Sequence, residues 1–161
     1  MNTLRRNFLI GGSGLVLSGL FLGKLPAIAA EGEFPFKLSD AEWQAKLDAS
    51  AYQVLRHEAT ERPFTSPLND EKRAGTFKCA GCGQALFASD TKFDSGTGWP
   101  SFWDFIPGSI GTKEDNSLFM ARIEVHCSNC GGHQGHVFDD GPAPTGLRYC
   151  INGVALTFEA A

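Results

Sequence analysis

The feature that most constrains the fold of this chain is the spacing of its five cysteines. Four of them form two Cys-x-x-Cys pairs, Cys79/Cys82 and Cys127/Cys130, and the fifth, Cys150, stands alone. Two such pairs, well separated along a chain, typically supply four thiolates to one tetrahedral metal, usually zinc, in a closed structural site. The pattern therefore predicts a metal that ties two distant turns together and leaves Cys150 free as a candidate nucleophile.

Two alternatives to this metal site stay open at the level of sequence. In an exported protein each pair could form a local disulfide, although a Cys-x-x-Cys disulfide is strained and reactive. A different metal site would use Cys127, Cys130, His133 and His136, which lie within ten residues of chain but would leave the other pair without a role.

The first 29 residues have the pattern of an export signal of the twin-arginine kind. Arg5 and Arg6 precede a run of 16 mostly apolar residues, 8–23, and the small-x-small pattern of a cleavage site follows at residues 27–29. An uncleaved anchor is the alternative, but a run with five glycines and two serines is short and weakly apolar for a hydrocarbon layer of ~30 Å. We therefore expect cleavage after Ala29, export to the periplasm, and no stable membrane span after cleavage.

The remaining residues, 30–161, are enough for one domain. Removal of residues 1–29 takes away three of the 14 basic residues and none of the 18 acidic ones, which leaves a net charge of −7 with His neutral. A nucleic-acid partner needs a basic face, so this charge argues against one. We expect a monomer.

The mature chain is predicted to be mainly β, with short helices at its N-terminal end. A capping box at Ser39 and Glu42 predicts a helix that begins at Asp40, and a second box at residues 50–53 predicts another that ends before Pro63. Beyond Pro63, glycines and prolines separate short aromatic or β-branched runs, as is typical of strands joined by turns.

Three strands are predicted individually. The clearest spans residues 118–126, where apolar residues, including Ile123 and Val125, alternate with polar ones, including Arg122 and Glu124, so that one face is buried and the other is wet. Two more are predicted at 148–152 and 154–158, with a bulge or tight bend at Gly153 between them.

The lone cysteine lies in a strand that gives it polar neighbours. Arg148, Cys150 and Asn152 alternate and so share a face. A fixed cation favours the nucleophilic thiolate, and Asn152 can hydrogen-bond a substrate on the same surface. The alternative is an inert buried cysteine, which is the commonest fate of a single one.

Two further segments carry candidate chemistry. His133 and His136, followed by Asp139 and Asp140, supply titratable groups for a general acid or a hydrogen-bond relay. The aromatic run at 98–103 either packs in the core or forms a rigid apolar pocket, whose rings a thioether methyl group would favour.

Four segments together give the chain a family resemblance: TERPFT (60–65), FDSGTGWPSF (93–102), GHQGHVFDDGP (132–142) and RYCIN (148–152). Over about residues 38–158 the chain resembles the B-type methionine sulfoxide reductases, which act on the R epimer of the sulfoxide. The resemblance implies two antiparallel sheets with short N-terminal helices and a four-cysteine zinc site. It also implies oxidised proteins as substrates and an external thiol reductant, such as a thioredoxin-like protein.

The resemblance also assigns roles to individual residues. It makes Cys150 the nucleophile, with Arg148 as its positively charged neighbour and either His133 or His136 as the group that helps to protonate the departing oxygen. Groups of the substrate pocket are implied at Trp99, Phe102, His133, His136, Asp140 and Asn152.

The chain departs from the family at Thr97, where many members carry a second, resolving cysteine. No cysteine outside the two pairs replaces it, so Cys150 is predicted to end as a sulfenic acid that an outside thiol must reduce. Two alternatives from other classes remain: a non-catalytic zinc-stabilised binding module, and a thiol-disulfide oxidoreductase that uses a Cys-x-x-Cys pair.

Overall fold

The computed structural model describes residues 32–117 and 121–161. The predicted export signal and its cleavage site lie outside these ranges. Within them, no helix is both long enough and apolar enough to cross a membrane.

Two short helices precede the sheets, α1 (Asp40–Lys46) and α2 (Ala49–His57). The predicted capping box of α1 is confirmed, because the Ser39 side chain accepts from the Glu42 N–H and the Glu42 carboxylate accepts from the Ser39 N–H. Two donors that a helix start would otherwise leave unpaired are thereby satisfied.

The start of α2 differs from the prediction. Its N-cap is Asp48, whose carboxylate accepts from the Ala51 N–H at 2.8 Å, and Ser50 lies inside the helix and donates to the same carboxylate. An ionised N-cap also interacts favourably with the positive end of the helix dipole, so Asp48 is the better cap. The helix ends before Pro63, as predicted.

In the residues that the structure describes, nine strands follow the helices. They are β1 (Gly75–Cys79), β2 (Ala85–Ala88), β3 (Lys92–Phe93), β4 (Ser101–Phe102), β5 (Ile110–Asp115), β6 (Arg122–Cys127), β7 (His133–Phe138), β8 (Arg148–Ile151) and β9 (Leu156–Ala160). A three-stranded sheet has the order β2-β1-β9 and a six-stranded sheet the order β3-β4-β8-β7-β6-β5, with antiparallel pairing throughout. The predicted mainly β fold with two antiparallel sheets is confirmed.

The hydrophobic core joins the two sheets and the helices. Phe102 of the larger sheet stacks on Phe87 of the smaller one, with ring centroids 4.4 Å apart, and meets Phe77 edge to face at 5.0 Å. Trp43 and Leu55 add the buried sides of α1 and α2. The larger sheet therefore has one face in the core, while its other face is available for polar residues.

The alternation predicted for residues 118–126 is only partly right. In the described residues the strand is β6, which begins at Arg122, and Val125 is buried as predicted. However, Ile123 is 40% exposed, whereas Glu124 is 1% exposed. Glu124 is buried because two histidines hydrogen-bond its carboxylate, which removes most of the penalty for burying a charge.

The chain turns sharply between its last two strands, where a bend at Gly153 was predicted. A 3₁₀ turn, Gly153–Ala155, separates β8 from β9. A Cβ atom at Gly153 would collide with the side chain of Ser66, so the close approach of the two segments requires glycine here. This turn directs Asn152 back toward β7.

Candidate active site

One row of side chains crosses the polar face of the larger sheet. Strand pairing aligns Glu124 of β6 with His136 of β7, His136 with Cys150 of β8, and Cys150 with Ser101 of β4. Directly opposite residues of antiparallel strands project from the same face. The row therefore brings a carboxylate, an imidazole, a thiol and a hydroxyl into neighbouring positions, while Tyr149 and Ile151 point into the core.

Cys150 lies in the wall of a narrow cavity of about 120 Å³. The cavity brings together residues of several segments, namely Thr60, Trp99, Arg122, Gly135, His136, Phe138, Cys150 and Asn152. The indole of Trp99 gives this space an apolar wall beside the thiol.

The acidity of the Cys150 thiol is set by opposing influences. Burial raises the pKa of Cys150, while the Thr97 hydroxyl, 3.9 Å from the sulfur, and the positive charge of Arg148 act to lower it. Burial has the larger effect, so the pKa of Cys150 lies above its usual value. Burial therefore favours the protonated thiol, while a cation and a hydroxyl group beside it stabilise the thiolate once it forms.

Arg148 is fixed in position beside Cys150. Its guanidinium donates two hydrogen bonds to the Asp140 carboxylate, at 2.8 and 2.9 Å, and lies over the ring of Phe138 at 4.4 Å. Asp140 raises the pKa of Arg148, which stays charged.

The structure places Asp140, an implied group of the substrate pocket, outside the cavity. Its side chain is 60% exposed and does not line the cavity. Both oxygens of Asp140 accept hydrogen bonds from the guanidinium of Arg148, so Asp140 positions that cation. The order of residues in the chain does not distinguish this positioning role from direct contact with substrate.

His136 is held by a carboxylate that the sequence did not reveal. Its Nε2 donates to Asp115 Oδ2 at 2.7 Å, and the same oxygen accepts from Arg122 Nη2 at 2.6 Å. Despite burial, hydrogen bonds from Ser117 and His136 and the charge of Arg122 keep the pKa of Asp115 well below its usual range. Burial lowers the pKa of His136, although Asp115 partly opposes this.

His133 has a different position from His136. Its ring is 5.4 Å from that of His136, but it is 2% exposed and does not line the cavity. Its Nδ1 hydrogen-bonds Glu124 Oε1 at 2.8 Å, and His126 Nδ1 bonds the other oxygen of Glu124 at 2.8 Å. Of the two predicted histidines, the structure brings only His136 to the wall of the cavity.

Asn152 lines the cavity, but its amide is largely used within the protein. Its oxygen accepts from the Glu61 N–H at 2.9 Å and its NH₂ group donates to the Gln134 carbonyl at 2.9 Å. Glu61 also accepts from the Trp99 indole N–H at 2.9 Å through its carbonyl. Glu61 therefore fixes two walls of the cavity, a role that sequence reasoning missed.

The structure places Phe102, which is predicted to contact substrate, in the hydrophobic core. Its ring is fully buried between the sheets. Ser101, its neighbour in β4, shares a face with Cys150, so the alternation of the strand sends Phe102 to the opposite side.

The four paired cysteines form a single cluster away from the cavity. Their sulfur atoms all lie within 4.8 Å of one another, with Cys79 and Cys130 3.7 Å apart and Cys82 and Cys127 3.6 Å apart. A tetrahedral zinc with bonds of about 2.3 Å needs sulfur atoms ~3.8 Å apart, so the donor set fits such an ion. Each of these two distances joins a cysteine of one Cys-x-x-Cys pair to a cysteine of the other, whereas a local disulfide would bring together the two sulfur atoms of one pair. All five cysteines are free.

The arrangement of the cluster also decides between the ligand sets. His133 bonds Glu124, and His136 bonds Asp115, so the alternative site of two cysteines and two histidines is wrong. A thiol-disulfide oxidoreductase would need one Cys-x-x-Cys pair that is free to react, whereas here the sulfur atoms of both pairs lie together in one cluster.

Gln134 connects the cluster with the cavity. Its side-chain NH₂ lies 3.5 Å from Cys79 Sγ, and its carbonyl accepts from both the backbone and the side chain of Asn152. One residue of β7 thus touches both sites.

Cys150 is a free thiol in a narrow cavity, with a fixed arginine and a carboxylate-held histidine beside it. This arrangement is typical of enzymes that use sulfur as their nucleophile, and the four-cysteine cluster, a possible metal site, lies apart from it. The model of the SelR domain family matches residues 47–160, and the chain belongs to this family.

Curated relatives share most of their length with the chain. Three of them, each named peptide methionine sulfoxide reductase MsrB, come from Methanosarcina barkeri (59% identical over 122 residues, 75% of this chain and 86% of that protein), Agrobacterium fabrum (52% over 122 residues, 75% and 90%) and Leifsonia xyli (50% over 133 residues, 81% and 96%).

Proposed function

We propose that this protein reduces the R epimer of methionine sulfoxide in oxidised proteins to methionine. The observation that carries this proposal is the free thiol of Cys150 in a cavity walled by Trp99 and His136. The names of the relatives support the same reaction. An indole wall suits the methyl group of the substrate, and the polar wall suits its oxygen.

The reaction is a two-electron transfer between two sulfur atoms. The thiolate of Cys150 attacks the sulfoxide sulfur and forms a transient S–S bond. The protonated oxygen then transfers to the Cys150 sulfur as the S–O bond of the substrate and the S–S bond both break, which leaves methionine and a Cys150 sulfenic acid. Methionine sulfur is reduced by two electrons and Cys150 sulfur is oxidised by two. The proton that the oxygen needs is the one that the thiol gave up.

His136 is the residue best suited to hold that proton in transit. It lies directly across the sheet from Cys150, and Asp115 accepts from its Nε2. The Asp115 carboxylate therefore favours a transient imidazolium, which then donates to the departing oxygen. Arg148 stabilises the thiolate from the other side.

Regeneration of Cys150 requires a thiol from another molecule. The four other cysteines form the cluster assigned to a metal, and Thr97 stands where the family resemblance places a resolving cysteine. A small protein thiol of the thioredoxin type is the reductant that we expect.

Zinc is the metal that we assign to Cys79, Cys82, Cys127 and Cys130. Bound there, it would supply cross-linking and no reactivity, since four protein ligands leave no open position.

Residues 1–29 are proposed to direct export by the twin-arginine route to the periplasm, where the mature chain acts as a monomer. The folded state that this route carries would keep the thiolate cluster intact on the way to an oxidising compartment. The N-terminal sequence of the exported protein tests the cleavage after Ala29.

The decisive experiment is an assay of purified mature protein on separate R and S methionine sulfoxide peptides with dithiothreitol as reductant. Reduction of the R epimer alone is expected, and Cys150→Ser should abolish it while metal content and melting temperature stay unchanged. Turnover that persists in Cys150→Ser, or activity on the S epimer alone, would contradict the proposal.

A further inference from the structure

A chain of three hydroxyl groups leads from Cys150 into the protein. Thr97 Oγ1 lies 3.9 Å from Cys150 Sγ and 2.8 Å from Ser95 Oγ, and Ser95 Oγ lies 2.7 Å from Ser101 Oγ. Ser101 Oγ in turn lies 3.1 Å from the carbonyl oxygen of Trp99. Ser101 is fully buried, so its hydroxyl has these partners in place of water.

The donor and acceptor roles along this row of hydroxyl groups can reverse without movement of any heavy atom. A hydroxyl group offers one hydrogen and two lone pairs, and its hydrogen rotates to suit its partners. When Cys150 is a thiol, its hydrogen points to Thr97, and each hydroxyl donates onward until Ser101 donates to the Trp99 carbonyl. When Cys150 is a thiolate, Ser101 donates to Ser95, Ser95 to Thr97, and Thr97 to the sulfur.

We propose that Thr97 is a hydrogen-bond donor to the nucleophile, and that Ser95 and Ser101 hold it in that role as a reversible hydroxyl relay. The residue that stands in place of a resolving cysteine thus activates the thiol instead of repairing it. Hydrogen bonds to a charged acceptor are about twice as strong as those between neutral groups, so the relay favours the thiolate over the thiol.

The other charged and titratable groups near Cys150 leave this task to the relay and Arg148. Arg148 favours the thiolate, but Asp140 neutralises much of its charge. Arg122 on β6 is likewise paired with Asp115 on β5, and His136 on β7 bonds the same carboxylate. Thr97 and Arg148 both hydrogen-bond the sulfur and favour its ionised form, and Thr97 does so through a hydroxyl whose Oγ1 lies 3.9 Å from Cys150 Sγ.

The test measures the pH dependence of iodoacetamide alkylation at Cys150 in the native, metal-loaded protein, with mass spectrometry to identify the modified residue. Thr97→Val keeps the shape of the side chain and removes the donor. We expect its alkylation midpoint to rise by about one pH unit, which lowers the rate about tenfold at a pH below both midpoints. Thr97→Ser restores the hydroxyl and should restore the midpoint.

Two further variants separate the relay from the general polarity of the cavity. Ser95→Ala should raise the midpoint by a smaller amount, because Thr97 keeps its hydrogen but loses its orienting partner. Thr60→Val makes the same change in the cavity wall without a hydrogen bond to the sulfur, and its midpoint should match the unmodified protein. Circular dichroism and metal content establish that each variant is folded.

An unchanged midpoint in Thr97→Val, or an equal rise in Thr97→Ser, would overturn the proposal. Because alkylation requires no sulfoxide, its outcome is independent of the proposed reaction. A relay without reductase activity and a reductase without a relay are therefore distinguishable results.

Discussion

A single side chain at position 97 decides how Cys150 is both activated and regenerated. A hydroxyl group there can donate to the thiolate, whereas a thiol there could attack a sulfenic acid and form a disulfide. Thr97 Oγ1 lies 3.9 Å from Cys150 Sγ, so a sulfur atom at position 97 would have to move about 2 Å closer to reach the disulfide bond length of about 2.05 Å. The two roles therefore exclude each other at one site.

Thr97→Cys is expected to change the product of a single turnover. With one equivalent of sulfoxide and no reductant, the unmodified protein should hold a sulfenic acid on Cys150 that dimedone traps. Thr97→Cys should instead form a disulfide between positions 97 and 150, while the matched variant Thr97→Ser should still be trapped by dimedone. Mass spectrometry of intact and digested protein distinguishes these products. A disulfide in the unmodified protein would mean that a cysteine of the metal cluster resolves Cys150.

At the scale of secondary structure, three adjacent strands bring two carboxylates into hydrogen-bonding contact with histidines. Asp115 on β5 holds His136 of β7, and Glu124 on β6 holds both His126 and His133. The sheet brings His136 to Asp115 and His133 to Glu124 from different strands, whereas His126 lies on the same strand as Glu124. The two carboxylates differ in role, because Asp115 hydrogen-bonds a histidine that lines the cavity, whereas the histidines bonded to Glu124 do not line it.

Asp115→Asn should slow the chemical step. The amide oxygen can still accept from His136 Nε2, but the charge that favours an imidazolium is gone, so the single-turnover rate at neutral pH should fall by roughly tenfold to a hundredfold. Rapid-quench measurement of methionine formation gives this rate. Asp139→Asn is the control, since Asp139 is an exposed carboxylate close in sequence to the same strand, and it should leave the rate unchanged. A rate for Asp115→Asn equal to that of the control would contradict the role assigned to His136.

Glu124→Gln should change the response of stability to acid. Burial opposes ionisation of Glu124, but hydrogen bonds from His126 and His133 lower its pKa from 4.5 to about 2. The stability that the ionised group provides is therefore fully present above about pH 4.5 and is lost as the pH falls toward 2, a contribution of roughly 3 kcal/mol.

Urea unfolding between pH 2 and 7 measures this effect. Glu124→Gln should be less stable than the unmodified protein at pH 7, with a shallower loss of unfolding free energy in acid. Glu114→Gln, at an exposed position of β5, should retain the original slope. Identical slopes in Glu124→Gln and the unmodified protein would show that the carboxylate is not held as described.

Features that depend on short sequence patterns and on residue type could be predicted from the sequence. The capping box at Ser39, the shared face of Arg148 and Cys150, and the four-cysteine cluster all follow from short spacings. Asp115 and Glu61 act through contacts with residues distant in the chain, and Glu124 is buried partly through a histidine of the next strand, so a single sequence carries little signal for them. Strand alternation sends the ring of Phe102 to the core, although Trp99 of the same motif lines the cavity.

At the scale of the whole molecule, the four-cysteine cluster fastens the two sheets to each other. Cys79 ends β1 of the smaller sheet, whereas Cys127 ends β6 of the larger one, and Cys82 and Cys130 follow in the adjoining turns. A metal bound between them stabilises the folded chain by its binding energy, typically about 10 kcal/mol or more for structural zinc.

Cys82→Ser should therefore lose the metal and the cooperative melting transition together. Metal content by mass spectrometry and thermal melting by circular dichroism are the measurements, with Cys150→Ser as a cysteine variant that should keep both. A soluble, metal-free Cys82→Ser protein with a normal melting temperature would show that the cluster does not hold the fold together.

The partial exposure of Cys82 has a consequence for the lifetime of the molecule under oxidants. Cys79, Cys127 and Cys130 are buried, so Cys82 is the sulfur of the cluster that a small oxidant meets first. Oxidation of Cys150 to the sulfenic acid is reversible by a thiol, whereas oxidation at Cys82 would release the metal and, through the contact of Gln134 with Cys79, loosen the strand that holds Asn152. We therefore expect an external thiol to restore Cys150 after each oxidation, and irreversible loss of activity under oxidants to begin at Cys82, which takes no part in the proposed reaction.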